Sequence, residues 1–432
     1  MKNSIRLILL IIFFNPLPGA AQTCITTECH TEINQKQLVH VPVEEEDCQA
    51  CHEQKNKKHP KARGADFGLT ETDVVDVCTT CHDIDLENPE LHKPVTEGMC
   101  LSCHNPHQSE SPYLLKEKTV SAICVQCHDT GTRDLPHVHG PVAVGACEVC
   151  HQGHGNMNNS LLVFKEVNDL CYDCHTIKQD EIGNYNQIHD PVEESCVNCH
   201  DPHESEYPYQ LTDVAPELCF SCHGAIEDMS ENVLSQHKAL KEDRTCLNCH
   251  LPHGSNYQYN LKQETFDLCL GCHDKPMKFG RVTIPGMKKF LEKNTDWHGP
   301  IRDKDCSGCH NPHGSVNIRL LRYFYPPEFY TSFNIDKYQL CFQCHPETNV
   351  LDKNTTKLTN FRDGTRNLHY LHVNRAKGRT CRACHQTHAS NHAFHIRDTV
   401  PFGRWQLPIN YVATENGGKC SPGCHKLKEY KR

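Results

Sequence analysis

Cysteine and histidine carry the chemistry available to this chain, and they occur together. Its 30 cysteines form fifteen pairs, and the second cysteine of every pair is followed directly by histidine. Thirteen pairs read C-x-x-C-H: Cys48, Cys51 and His52; Cys78, Cys81 and His82; Cys100, Cys103 and His104; Cys124, Cys127 and His128; Cys147, Cys150 and His151; Cys171, Cys174 and His175; Cys196, Cys199 and His200; Cys219, Cys222 and His223; Cys246, Cys249 and His250; Cys269, Cys272 and His273; Cys306, Cys309 and His310; Cys341, Cys344 and His345; Cys381, Cys384 and His385. The two outermost pairs are wider, with Cys24 and Cys29 before His30, and Cys420 and Cys424 before His425. Two thiols one helical turn apart can reach the two vinyl groups of one porphyrin, and the adjacent imidazole can reach its iron. The implied cofactor is haem c, about fifteen per chain, with the motif histidines as proximal ligands.

Other uses of cysteine fit less well. Disulfides do not require histidine after every second cysteine. Zinc sites combine two motifs into four ligands, and iron–sulfur clusters use cysteine runs without this histidine. A thioredoxin-like redox motif would occur once. Cys24 follows a leader and could carry lipid instead, but Ala21-Gln22-Thr23 is no lipoprotein cleavage box, and lipidation would orphan Cys29 and His30.

Eighteen of the 33 histidines lie outside the motifs. Seven precede every second motif by seven to nine residues: His40, His92, His139, His189, His237, His298 and His372. Six stand three residues after the same motifs: His107, His154, His203, His253, His313 and His388. His59 takes that place, displaced, near the start. Their phase follows the cysteines, so these fourteen are the expected distal ligands. A histidine so soon after a proximal ligand cannot easily reach the far face of the same iron, so it is expected to serve a neighbouring haem. A fifteenth ligand must come from the remainder. His395, with His392 beside it, lies nearest the last motifs and is the expected choice, while His137 and His369 are read as ordinary polar residues. The five methionines beyond the leader have no periodic placement, and His/His ligation keeps haem potential low.

The elements that must hold these residues form seven repeats plus a final half. Each repeat holds an odd motif, a lone histidine, an even motif and a closing histidine. Short helices are expected to end in the odd motifs, begun by Asn168-Asp169 or Asn334-Ile335-Asp336. Segments such as Pro252-His253-Gly254-Ser255 read as turns. The expected fold is short α-helices and loops wrapped around covalent haems, repeat-built and elongated, with little β structure. Apolar residues at 37% and aromatics at 7% are too few for large cores, so porphyrin must supply apolar surface and the haem-free chain should be largely disordered.

Residues 1–21 read as a secretory signal peptide: Lys2 and Arg6, a short apolar run, then small residues. The array then divides by charge, into an acidic part over 22–260 (repeats one to five) and a basic part over 261–432 with longer spacers. Residues 1–250 carry 17 Lys/Arg against 39 Asp/Glu, and residues 251–432 carry 27 against 15. Such asymmetry suits docking of different partners.

His298-Gly-Pro300, the motif ending at His310, and then Asn311-Pro312-His313-Gly314-Ser315 show a pattern that resembles the doubled-CxxCH multihaem cytochromes c. The first repeat departs from it after His52, and the seventh departs at Gln386-Thr387-His388. The resemblance implies electron transfer in anaerobic or extracellular respiration, as in periplasmic subunits of outer-membrane conduits or in extracellular cytochromes, some of them filamentous. It also implies export, redox-protein partners, a porin-type barrel among them, and a homo-oligomer or filament as a further form. No nucleic-acid partner is expected. Iron ligated on both faces offers no substrate site, so a carrier rather than an enzyme is expected. The alternative is a reductase of a nitrogen or sulfur oxyanion at one open haem, for which Lys275–Trp297, Tyr323–Phe333 and Arg362–Arg382 would supply a pocket.

Overall fold

The structure is a computed structural model that describes residues 24–26, 29–56, 59, 66–129, 135–242, 244–279 and 282–432. The leader expected at 1–21 lies outside them. Short helices and 3-10 turns alternate with strands of two to four residues, in sheets of two strands and one of three. Among the described residues no helix is long and apolar enough to cross a membrane. The chain divides into two compact bodies, one of Met1–Cys174 with His200–Leu211, the other of His175–Cys199 with Thr212–Arg432.

The motifs fold as one turn of helix. In most C-x-x-C-H motifs the histidine amide donates to the carbonyl of the first cysteine, as from His82 to Cys78 (2.9 Å) and from His310 to Cys306 (3.1 Å). That turn sets both thiols beside the imidazole. The wider motifs close differently, with Cys29 N donating to Thr26 Oγ1 (3.0 Å) and His425 N to the Pro422 carbonyl (3.2 Å). Odd motifs do end helices, such as Val74–Thr79 and Val167–Tyr172. Asn334 caps its helix by accepting from Asp336 N, but Asn168 lies inside the helix begun at Val167, whose N-cap is Glu166.

Five of the seven lone histidines stand at the N-cap of a short helix with proline in its first turn: His40 before Val41–Glu44, His92 before Lys93–Thr96, His139 before Gly140–Ala143, His189 before Asp190–Glu194 and His298 before Gly299–Arg302. His237 caps Lys238–Lys241 without proline, and His372 lies inside Leu368–Val373. Proline in the first turn gives up only an amide that has no partner within the helix.

Two-residue antiparallel ladders join one repeat to the next. In the first body Leu38–Val39 pairs with Gln108–Ser109, Glu90–Leu91 with Gly155–Asn156, and His137–Val138 with Glu204–Ser205. In the second, Gln187–Ile188 pairs with Gly254–Ser255, Ser235 bridges Ser315, and Asp296–Trp297 pairs with Ala389–Ser390. His137 is thus a ladder residue.

Protein core is sparse and sits late in the chain. One cluster joins Leu321, Tyr325, Tyr338, Val350 and Val373, and another Leu291, Ile301 and Ala389 against Trp297. The long C-terminal spacers therefore pack as core: Leu291 comes from the first and Tyr325 from the second.

Candidate functional site

Beyond six of the seven even motifs, all but the first, the chain makes a left-handed dipeptide: Tyr113-Leu114, Ser160-Leu161, Tyr209-Gln210, Tyr259-Asn260, Arg319-Leu320 and Phe394-His395, with φ between 53° and 62°. Non-glycine residues resist this conformation, so neighbouring contacts must hold it. A side chain does part of the holding. Ser255 Oγ donates to the Leu261 carbonyl (2.5 Å) and accepts from Tyr257 N (2.9 Å), and Ser315 and Ser390 repeat the arrangement.

The turn aims one carbonyl at the motif imidazole. Nδ1 of His104 donates to Tyr113 O (2.8 Å), His151 to Ser160 O (2.9 Å), His200 to Tyr209 O (2.8 Å), His250 to Tyr259 O (2.8 Å), His310 to Arg319 O (3.0 Å) and His385 to Phe394 O (2.9 Å). The lone histidines are held likewise by the residue before a closing histidine. Nδ1 of His40 donates to Pro106 O, His92 to Gly153 O, His139 to Pro202 O, His189 to Pro252 O (each 2.9 Å) and His237 to Pro312 O (3.0 Å). A carbonyl only accepts, so each Nδ1 carries the proton and each Nε2 keeps its lone pair for a metal.

The imidazoles then meet in pairs. In the first body His30 faces His59 (6.2 Å between ring centroids), His82 faces His40 (5.8 Å), His52 faces His107 (6.1 Å), His128 faces His92 (5.7 Å), His104 faces His154 (5.8 Å) and His151 faces His203 (6.2 Å). In the second His223 faces His189 (6.1 Å), His273 faces His237 (6.4 Å), His250 faces His313 (6.1 Å), His345 faces His298 (6.0 Å), His310 faces His388 (6.2 Å) and His385 faces His369 (6.3 Å). The planes differ by 11° to 32°. Two ring nitrogens each about 2 Å from one metal ion, with half an imidazole behind each, put centroids roughly 6 Å apart. Aromatic stacking alone can reach such distances. It would not choose one motif histidine and one other histidine in all twelve pairs.

The pairing is reciprocal across a repeat boundary. His40 of the first repeat meets His82 of the second, and His107 of the second meets His52 of the first. The ends are closed from within. His59 serves His30 and accepts support from Asp66, at 3.0 Å from its Nδ1. His369, with Thr359 Oγ1 2.9 Å from its Nδ1, serves His385.

His395 was the expected fifteenth distal residue, and the structure puts His369 before His385 instead. His395 is the second residue of a left-handed turn, where other repeats carry Leu114, Gln210 or Asn260. Its ring lies edge-on to His298, with Nδ1 3.8 Å from Asp296. His392 pairs with Asp398 (2.5 Å). His369 stands outside the spacing the other repeats share: His104, His151, His250 and His310 face histidines that close a motif, whereas His385 faces His369 from its own repeat. Burial lowers the His372 pKa, the Leu368 carbonyl opposes that, and the charges of Arg379 and then His425 lower it further.

Among the described residues no cysteine is joined in a disulfide, and within each body cysteines of successive motifs lie near one another. In the first body burial raises the Cys48, Cys78 and Cys124 thiols, the last to about 11, and Cys24, Cys100 and Cys147 beside them add to it. Burial likewise raises Cys51, Cys103 and Cys150, with Cys81, Cys127 and Cys174 the next contributors. In the second body hydrogen bonds with Cys246, Cys306 and Cys381, and then burial, raise the Cys219, Cys269 and Cys341 thiols, while burial raises Cys199 and Cys309, with Cys222 and Cys344 the next contributors.

Haem fits this donor set. Paired thiols, an oriented imidazole and a second imidazole recur together.

No curated protein matches this chain. The family model of the doubled CXXCH motif matches residues 40–86, 92–133, 139–180, 189–228, 237–278 and 298–350, over half of the sequence. Each match opens on a lone histidine and takes in the following odd motif, as in His40 and His82, which face each other. With six matched repeats and these facing imidazoles, the chain belongs to the doubled-CXXCH multihaem cytochromes c.

Proposed function

We propose that the chain carries electrons along about fifteen bis-histidine haems, in anaerobic or extracellular respiration beyond the inner membrane. The observation that carries this reading is the set of twelve facing imidazole pairs, each joining a motif histidine to a second histidine. His372, whose protonation feels the charge of His425, is the second ligand proposed for that residue's motif. A haem at each motif supplies a one-electron iron couple when bound. The protein's own part is to fix both imidazoles through their Nδ1 protons, keep water and substrate off the iron, and bring successive attachment sites into contact. Partners are other redox proteins that meet the array where charge steers them.

The test is spectroscopic. Pyridine haemochrome assay should give about fifteen haems per chain. The electron paramagnetic resonance spectrum of the oxidised protein should be wholly low-spin. A high-spin signal that responds to nitrite or hydroxylamine would overturn the carrier reading.

A further inference from the structure

At the first attachment motif the second imidazole rests on a carboxylate. His59 faces His30 with the ring planes 12° apart, and its Nδ1 donates to Asp66 Oδ2 (3.0 Å). Other second imidazoles are held by uncharged groups. Nδ1 of His40, His92, His139, His189 and His237 meets a backbone carbonyl, and Nδ1 of His369 meets the Thr359 hydroxyl. Asp66 is itself fixed in place. Its carbonyl accepts from the amides of Lys55 (2.8 Å) and Asn56 (3.1 Å). The residues after it, Phe67–Leu69, pair with His52–Gln54, so this hairpin hangs from the histidine of the second motif. Phe67 sets its ring edge-on against His59, with 5.0 Å between centroids. The Asp66 side chain is largely buried, and its Oδ1 has no hydrogen-bond partner among the described residues. The ammonium of nearby Lys55 is taken by Glu53.

A buried carboxylate with one partner directs its charge into that one bond. An Nδ1 proton drawn toward a carboxylate leaves the ring more electron-rich than one drawn toward a carbonyl, so Nε2 becomes a stronger donor to a metal. Oxidised iron carries one more positive charge than reduced iron. Stronger donation from the ring, together with the negative charge behind it, therefore favours the oxidised state. A backbone carbonyl orients the imidazole equally well but brings no net charge. Orientation alone would thus be served by the arrangement found at His40 or His92, and the carboxylate at His59 adds an electronic effect to it.

We propose that Asp66 is a positioning residue for the haem carried by Cys24 and Cys29, and that through His59 it lowers the potential of that centre below what an uncharged acceptor in the same place would give. The centre then passes its electron on more readily than the same two imidazoles would allow with a carbonyl behind His59. The inference rests on the haem reading of that motif.

Spectropotentiometric titration of the holoprotein tests it, with D66N, D66S and D66E alongside. Asparagine and serine keep an acceptor and remove the charge. In each, a component of about one haem in fifteen should move to higher potential. At its wild-type midpoint its reduced-to-oxidised ratio should rise about tenfold, equivalent to 59 mV for one electron. D66E, which keeps the charge, should stay within about twofold. The oxidised protein should stay low-spin in all three. An unmoved potential in either neutral variant that keeps this haem, or an equal rise in D66E, overturns the proposal. Loss of the haem or a high-spin signal in both neutral variants also overturns it, because Asp66 would then serve only to hold His59. Should one of them lose haem, the other decides. Peptide mass spectrometry of wild-type residues 24–30 separates the two readings: a peptide without haem removes the attachment itself, whereas a haem-bearing peptide with an unmoved potential removes only the role of Asp66.

Discussion

A single proton decides what each histidine can do. With Nδ1 bound to a carbonyl the ring offers only Nε2, and its plane is fixed before any iron arrives. His385 shows the scheme in full, held by Phe394 O on one side and faced by His369 on the other. Replacing His369 by alanine should leave one centre with an open face, read as a high-spin signal of about one haem in fifteen. His395→Ala should leave the spectrum unchanged, because its ring only edges His298. The reverse result would return the ligand role to His395. Attachment was legible in sequence because its chemistry spans five residues. The phased distal histidines, such as His107 and His313, were legible because the repeat copies them. His369 was not, because it precedes its motif by a spacing that no other repeat copies.

At the scale of elements, the ladders set the distance between repeats, and close backbone approach sets the ladders. Gly314 has φ of +146°, and a Cβ there would lie 2.0 Å from the Met229 carbonyl. Gly153, also beside a closing histidine, has nothing within 4 Å of its would-be Cβ. Gly314→Ala should therefore cost roughly 2 kcal/mol or more, lowering the thermal midpoint and loosening the His250–His313 pair. Gly153→Ala should be near neutral in the same melt. Equal midpoints for the two would show that the Met229 contact does not hold the ladder. The P-H-G-S turn is legible in the sequence, but the strand that follows it is not. Two residues have no period to detect, and pairing partners such as Ser235 and Ser315 lie far apart in the chain. The left-handed dipeptides were hidden for another reason: tyrosine, serine and arginine do not announce positive φ, and here tertiary hydrogen bonds impose it.

Over the whole molecule, the apolar surface is unevenly supplied. Among the described residues only Ile182 of the buried hydrophobic residues precedes Leu291; the rest, from Leu291 to Tyr430, lie in the last third. There Tyr338 is fully buried among Leu321, Tyr325, Val350 and Val373, and a three-stranded sheet spans Val412–Lys431. The low hydropathy of −0.63 implied a chain that depends on its cofactors throughout; the sequence could not show that its few large aromatics converge in one region. The earlier repeats have ladders of two residues and scarcely any core, so their order depends on covalent and axial bonds to haem. The later region can retain structure by burial alone, since each large buried side chain contributes about 1.5–3 kcal/mol. Haem-free chain, made without the attachment machinery and kept reduced, should therefore lose most of its protease resistance before residue 280 but keep a protected fragment beginning between about 280 and 320. Limited proteolysis with mass mapping reads this directly. Uniform digestion from end to end would mean that the C-terminal clusters, like the rest, form only around porphyrin.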